Sequence, residues 1–443
     1  MARSAPPPPS PLPLPPQRAL SCHRRLPVSL SAQPGSTILH PTLPPRHEKY
    51  FLGTLAGIQF SHILDFMIMM PLGPILMQHL GIDTREFAVL VASYSFSAAL
   101  SGLLATTFVD RFERKRLLLS LFALFGGATL ACGLAPGFTT LLLARSLTGA
   151  FGGIMGALVQ TMLGDVIPFA RRATASGTLS SAFALSSVAG VPLSLWLATH
   201  IQWRAPFLFI FLLTVLFLSC GVRFLPELRR HLLDRPPAHP LTALLAVLRD
   251  ANHLRALLYA ALILFSGFTV IPYITIYAVN NLAISQQEIP IVYLCGGAAT
   301  LFTSRWIGRW ADRRGKVAVY RRVALGATLP LLVVTHLDTA SLPLWILCTS
   351  TFFVLISGRM VPAITIIVSA AQPGLRGTFM SLHATVQSLS MGLATTLAGS
   401  IITQDATTGR ITGYPAVGAV ALGANLLAIW LVGRIVTHDQ PRS

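Results

Sequence analysis

The feature that most limits what this chain can become is a series of uninterrupted apolar runs. From Tyr50 onward the charged residues delimit twelve, at 50–78, 87–108, 117–135, 138–162, 174–199, 206–225, 255–279, 289–309, 319–336, 343–369, 377–402 and 412–435. Each holds 18 to 29 residues, long enough for a helix to cross a hydrocarbon core about 30 Å thick. Barrel strands would be half that length and would alternate polar with apolar residues, which these runs do not. Only 11% of the chain is charged and 53% is hydrophobic, whereas soluble domains carry about 25% charge. The bilayer is therefore the solvent, and the fold class is an all-α membrane protein with 12 transmembrane helices.

The formal charge of +18 would suggest nucleic acid in a soluble protein, so the placement of each Lys and Arg matters. With both termini set on the cytoplasmic side, 27 fall there, three fall outside (Arg85, Arg204, Arg410) and three lie within spans (Arg145, Arg305, Arg359). That asymmetry is the positive-inside pattern. The basic charge is topology, and no nucleic-acid partner is expected.

Residues 1–47 are a different material, with thirteen prolines between Pro6 and Pro45 and no acidic residue before Glu48. They read as a disordered Pro-rich N-terminal tail rather than a targeting signal. A polar, basic stretch at 226–254, centred on Pro236 and Pro237, splits the spans into an N-terminal six-helix half (48–225) and a C-terminal six-helix half (255–436), followed by a short tail (437–443). Cys22, Cys132, Cys220, Cys295 and Cys348 form no CxxC pair. Neither a disulfide framework nor a metal site is expected, and no cofactor is implied.

The two halves repeat a signal. Asp110-Arg111-Phe112-Glu113-Arg114-Lys115 follows the second run, and Gly308-Arg309-Trp310-Ala311-Asp312-Arg313-Arg314-Gly315-Lys316 follows the eighth. An aspartate at a helix C-terminus is poorly placed for its own helix dipole but accepts hydrogen bonds from a neighbouring helix end or arginine, a latch that can break and reform. Asp110, Arg111, Arg114, Gly308, Asp312, Arg313, Gly315 and Lys316 are accordingly the expected gating residues; the plain alternative is that the basic residues only orient the loops. A phosphate-binding loop is excluded, because six residues separate Gly308 from Gly315 and Val317 stands where Ser or Thr is needed.

Among fifteen acidic residues, Asp65 alone lies near the middle of a run. A carboxylate there costs too much free energy to be idle, and desolvation favours its protonated form. It is expected to carry a proton or to counter a cationic substrate, the alternative being a static ion pair with Arg145 or Arg359. His62 lies three residues earlier on the same helix face. Arg145, deep in the fourth run, costs about 2.5 kcal/mol or more in hydrocarbon and should face the bundle interior or water. Gly149 and Gly153 form a small-xxx-small pair for close helix contact. His62, Phe66, Tyr273, Asn280, Arg359, His383 and Gln387 are the expected cavity residues, His383 and Gln387 sharing a face at i, i+4.

Twelve spans, a central basic loop and the repeated acid-basic loop resemble the major facilitator superfamily. Its signature, G-x-L-a-D-r-x-G-r-k, is fitted well by Gly308 to Lys316, while the first copy has Thr106 and Glu113 at glycine positions. Arg145-Ser146-Leu147-Thr148-Gly149 is similar to the family's R-x-x-x-G pattern of proton-coupled members. The resemblance implies two pseudo-symmetric six-helix halves and a secondary active transporter, with efflux of small molecules or drugs against protons through Asp65 and Arg145. The other transport reading is uptake or exchange of an organic anion or sugar. An intramembrane enzyme is set aside, since there is no HExxH, no GxSxG and one buried carboxylate. The expected setting is a bacterial inner membrane, with both termini cytoplasmic, the protein monomeric, and protons, a small molecule and lipid as its partners.

Overall fold

A computed structural model of the chain describes residues 44–229, 240–405 and 407–437. The expected tail lies almost wholly outside these, as do 230–239 of the central loop and 438–443 at the C-terminus. Among the described residues the first half comprises α1 (Pro45–Ile68), α2 (Gly73–Leu80), α3 (Thr84–Phe108), α4 (Arg114–Leu134), α5 (Phe138–Val166), α6 (Phe169–Leu185), α7 (Val191–His200) and α8 (Ala205–Phe224). The short α9 (Pro240–Arg249) leads into the second half. That half comprises α10 (Ala251–Phe268), α11 (Ile274–Asn280), α12 (Ile289–Arg314), α13 (Lys316–Gly326), α14 (Thr328–His336), α15 (Leu342–Gly358), α16 (Met360–Ala370), α17 (Arg376–Ile401) and α18 (Tyr414–Leu431).

Several runs read as single spans are broken helices, and proline places the breaks. A proline has no N–H to give the carbonyl four residues earlier. Pro272, Pro330 and Pro362 thus leave Phe268, Gly326 and Gly358 without their helical donor, and α10, α13 and α15 end at those residues. Pro71 and Pro74 accompany the turn between α1 and α2, and Pro192 follows a π-bulge at Ser186–Gly190. Among the described residues, ten spans are long and apolar enough to cross a membrane by length and composition. The other two long helices, Ile289–Arg314 and Arg376–Ile401, have 26 residues each. They are more polar because α12 ends in Arg305, Arg309, Asp312, Arg313 and Arg314, and α17 is rich in Ser and Thr.

The halves meet along α3 with α17, and along α12 with α7 and the π-bulge before it. Small residues set these approaches. Gly399 leaves room for Ala88 and the Tyr273 hydroxyl, and Gly297 for the Ser187 backbone; Thr84 donates to the Ile402 carbonyl at 3.2 Å. One hydrophobic core, including Ile75, Phe87 and Trp203 from the first half and Tyr273, Ile276 and Tyr414 from the second, unites the halves at one end. At the other end each half keeps its own core, around Phe51, Leu118 and Met162 in one and Tyr259, Tyr320 and Phe379 in the other. The basic loops emerge at this divided end. α9 joins the second core through the buried Val247, because its leucines and valine recur at helical spacing.

Candidate functional site

Asp65 lies in the last turn of α1, where a helix leaves carbonyl oxygens without partners. Arg145 of α5 reaches across to this end. Its Nη1 donates to Asp65 Oδ2 at 2.7 Å and also lies 3.4 Å from the Asp65 carbonyl oxygen. The one guanidinium therefore pairs the carboxylate and caps the helix. Both side chains are essentially sealed, at 0% and 1% exposure.

Glycine brings α5 this close. A Cβ at Gly149 would overlap the Tyr94 backbone of α3, and one at Gly153 the Ala98 backbone. α3 then lays the Tyr94 ring 4.8 Å from Arg145 Cζ, a cation–π contact. His62 and Phe66 stand on either side, with ring centroids 6.4 and 5.2 Å from Tyr94. Phe66 also reaches Phe268 of the second half at 5.8 Å. Around this single ion pair, Arg145 Nε, Tyr94 Oη and His62 Nδ1 are buried without a hydrogen-bond partner, and the Thr129 hydroxyl faces the Asp65 carboxylate. A buried pair with unfilled hydrogen-bonding capacity is poorly compensated for leaving water.

Arg359 is placed elsewhere. It sits at the α15–α16 break and points into the second half's own bundle, 1% exposed. There it donates to Asn425 Oδ1, to Ser266 Oγ at 3.5 Å and to the Ile263 carbonyl at 2.9 Å. Asn425 in turn donates to the Ala324 carbonyl at 2.8 Å. These partners are neutral.

The remaining expected cavity residues divide. Tyr273 is fully buried, donating to the Thr395 carbonyl at 2.9 Å, and Asn280 donates to the Gly409 carbonyl at 3.1 Å. Both therefore lie at the joined end and fasten helix or hairpin. His383 is buried with Nε2 unpartnered, and Gln387 is half-buried one turn on.

At the divided end, Arg114 forms an ion pair with Asp165 at the end of α5. Glu113 caps α4 by accepting from the Lys115 and Arg116 amides and also accepts from the Leu228 amide. Arg111, Asp312, Arg313 and Lys316 are exposed, while the Asp110 side chain lies outside the description. Among the described residues Asp312 has no hydrogen bond or ion pair. Gly315 ends α12 at φ 85°, a conformation that favours glycine. A Cβ at Gly308 would stand 3.6 Å from Val361, an ordinary contact. Among the described residues no group of three or more His, Cys, Asp or Glu could hold a metal ion.

Reading the sequence alone misses Tyr94, Thr129, Ser266 and Asn425. Asn425 is the residue a signal existed for, since a lone amide in an apolar run tends to bond a neighbouring helix. Tyr94 carries no such signal.

The model of the Major Facilitator Superfamily matches residues 55–395. The uncharacterized MFS-type transporter YfhI of Bacillus subtilis (strain 168) is 30% identical over 126 residues, 28% of this chain and 32% of that protein. The chain spans about a third of the length of the curated relatives it matches. A POT family transporter solved in complex with 5-aminolevulinic acid superposes with a TM-score of 0.70 at 14% identity, over 87% of this chain and 96% of that one. The human organic anion transporter MFSD10 (TETRAN) does so with 0.63 at 19% identity, over 88% and 100%. At such identities these structures speak for the fold.

Proposed function

The chain belongs to the major facilitator superfamily, and on that premise we propose that it is a proton-coupled exporter of small lipophilic molecules working by alternating access. The observation that carries this reading is the sealed Asp65–Arg145 pair at 2.7 Å, a charge-neutral unit in hydrocarbon that one proton converts into a free cation. While Arg145 is close, the carboxylate is favoured; when the helices move apart, the neutral acid is favoured. Rocking of the halves about α3–α17 and α12–α7, around a site near the midplane, would have to shift α1 against α5 within the first half to make and break that proximity, since both residues of the pair lie there. The united core at one end and divided cores at the other suit a state open toward the basic loops. By the positive-inside pattern that side is the cytoplasm, with both termini there and the protein a monomer in a bacterial inner membrane. The exposed, unpaired Asp312 suits the same state, its latch being released.

A second reading, exchange of an organic anion or sugar, draws on Arg359, a buried cation whose partners are neutral, and on the fold shared with a human organic anion transporter. It is the weaker one, because Arg359 turns into its own bundle.

The test uses purified protein in vesicles holding a pH gradient, with a panel of lipophilic cations, organic anions and sugars. A cation that dissipates the gradient with wild type and not with Asp65→Asn supports proton-coupled export. Labelled anions or sugars crossing equally well with both proteins, with no gradient loss, would leave Asp65 structural and favour the second reading.

A further inference from the structure

Resting on the proton-coupling reading, we propose that His62 and Tyr94 are the route by which a proton reaches Asp65, and that Gly152 is the residue that lets them converge. A carboxylate at 0% exposure paired to an arginine at 1% has no direct access to water, so a coupling role requires relay groups. His62 stands one turn before Asp65 on the same face of α1. Its Nδ1 is buried and unpartnered, while the residue as a whole retains partial exposure.

Gly152 of α5 shows how close His62 comes to Tyr94. A Cβ built on Gly152 would overlap the Tyr94 hydroxyl and stand 3.0 Å from His62 Nε2. The two polar atoms therefore approach the same bare Cα. They do not bond each other, since the Tyr94 hydroxyl has no partner, and their separation, at most about 5.4 Å, is one that a single water bridges. Beyond Tyr94 lies the ion pair itself. The Tyr94 ring packs on Arg145, and Asp65 Oδ1 is the carboxylate oxygen that makes no hydrogen bond to Arg145. The titratable and charged groups facing Asp65 are Tyr94 of α3, Cys132 of α4 and Arg145 of α5, with His62 on its own helix.

The transfer balances without ionising the tyrosine. A proton adds at His62 Nε2 and passes to the bridging water, which gives one of its protons to Tyr94 Oη. Tyr94 gives its own hydroxyl proton to a second water, since it does not bond Asp65 directly, and that water gives one of its protons to Asp65 Oδ1. Histidine, water and tyrosine end as they began; Asp65 becomes the neutral acid and Arg145 is released. His62 and Tyr94 are positioning and relay groups, so their loss slows proton arrival without changing how much Asp65 finally binds.

The experiment is an infrared pH-jump on the full chain in lipid nanodiscs, following the carboxylic-acid carbonyl band as pH is dropped, with Asp65→Asn subtracted to isolate Asp65. Tyr94→Phe, which keeps the ring, and His62→Ala are each expected to slow the rise of that band tenfold or more at unchanged final amplitude, and added imidazole is expected to restore the rate in His62→Ala. Wild-type rates in both variants overturn the relay while leaving Asp65 as the proton carrier. A wild-type spectrum with no Asp65 band at any pH overturns the coupling reading, and the relay with it.

Discussion

Among the described residues each half of the molecule has one arginine that is only 1% exposed, Arg145 and Arg359, and the two are held in opposite ways. In the first half Arg145 meets a carboxylate, Asp65. In the second, Arg359 meets an amide oxygen, a hydroxyl and a backbone carbonyl, and Asn425 is itself anchored to Ala324. The correspondence extends to position, because Asp65 and Ser266 stand on the first span of their halves and Arg145 and Arg359 on the fourth. A charged partner can be switched off by one proton. A neutral cage cannot, so on the proposed reading it is the first half that changes charge.

The largest effect expected from this contrast follows Asp65→Asn. It leaves Arg145 charged and buried, at a cost of about 3–5 kcal/mol, and adding Arg145→Met should recover much of the loss in thermal unfolding of the detergent-solubilised protein. A double variant no more stable than Asp65→Asn would mean that the two residues are not a unit.

Arg359→Met should cost less, about 1–3 kcal/mol, since it strands neutral groups such as Asn425 Oδ1 and the Ile263 carbonyl. If thermal unfolding shows a loss equal to that of Asp65→Asn, the neutral cage is no weaker than the ion pair and the contrast between the halves fails.

Glycines sharpen it further. Gly149→Ala drives a methyl into the Tyr94 backbone and should lower stability by about 1–3 kcal/mol. Gly308→Ala makes an ordinary 3.6 Å contact and should gain about 0.5–1 kcal/mol from helix propensity. Parallel melts of the two variants decide this, and the same sign in both would contradict the packing described.

The smallest effect lies in the hairpin of the second half, Thr403–Gln404 paired with Ile411–Thr412. Asp405 there accepts from the Thr408 and Thr407 amides at 2.7 and 2.8 Å, which holds its carboxyl below the ordinary value. Its stabilisation is therefore present above that ordinary value, about 3.9, and lost as pH falls through the lowered one. Amide exchange at Thr407 and Thr408 should quicken only in that acid range, and Asp405→Asn should remove the pH dependence.

The apolar runs and the charges that interrupt them made the membrane setting, the number of spans and the two-half organisation readable from the sequence. Hydrophobic length and the penalty on a buried charge are local properties. The same logic made Asp65, Arg145 and Arg359 conspicuous. Proline placed the breaks in the spans by a local rule as well, although only the coordinates showed which prolines break a helix and which start one.

Which arginine Asp65 would meet was open, because that depends on helices converging from 80 residues apart. The tertiary structure chose Arg145 by letting α5 slide against α3 on Gly149 and Gly153, and it turned Arg359 inward on Asn425. It also moved Tyr273 and Asn280 from expected cavity residues to fasteners at the joined end, and brought in Tyr94, whose role exists only where three helices meet. The order of apolar and charged residues set what the bilayer would accept; the packing of the helices chose which buried charges became partners, because a partner is a matter of distance and the sequence records only order.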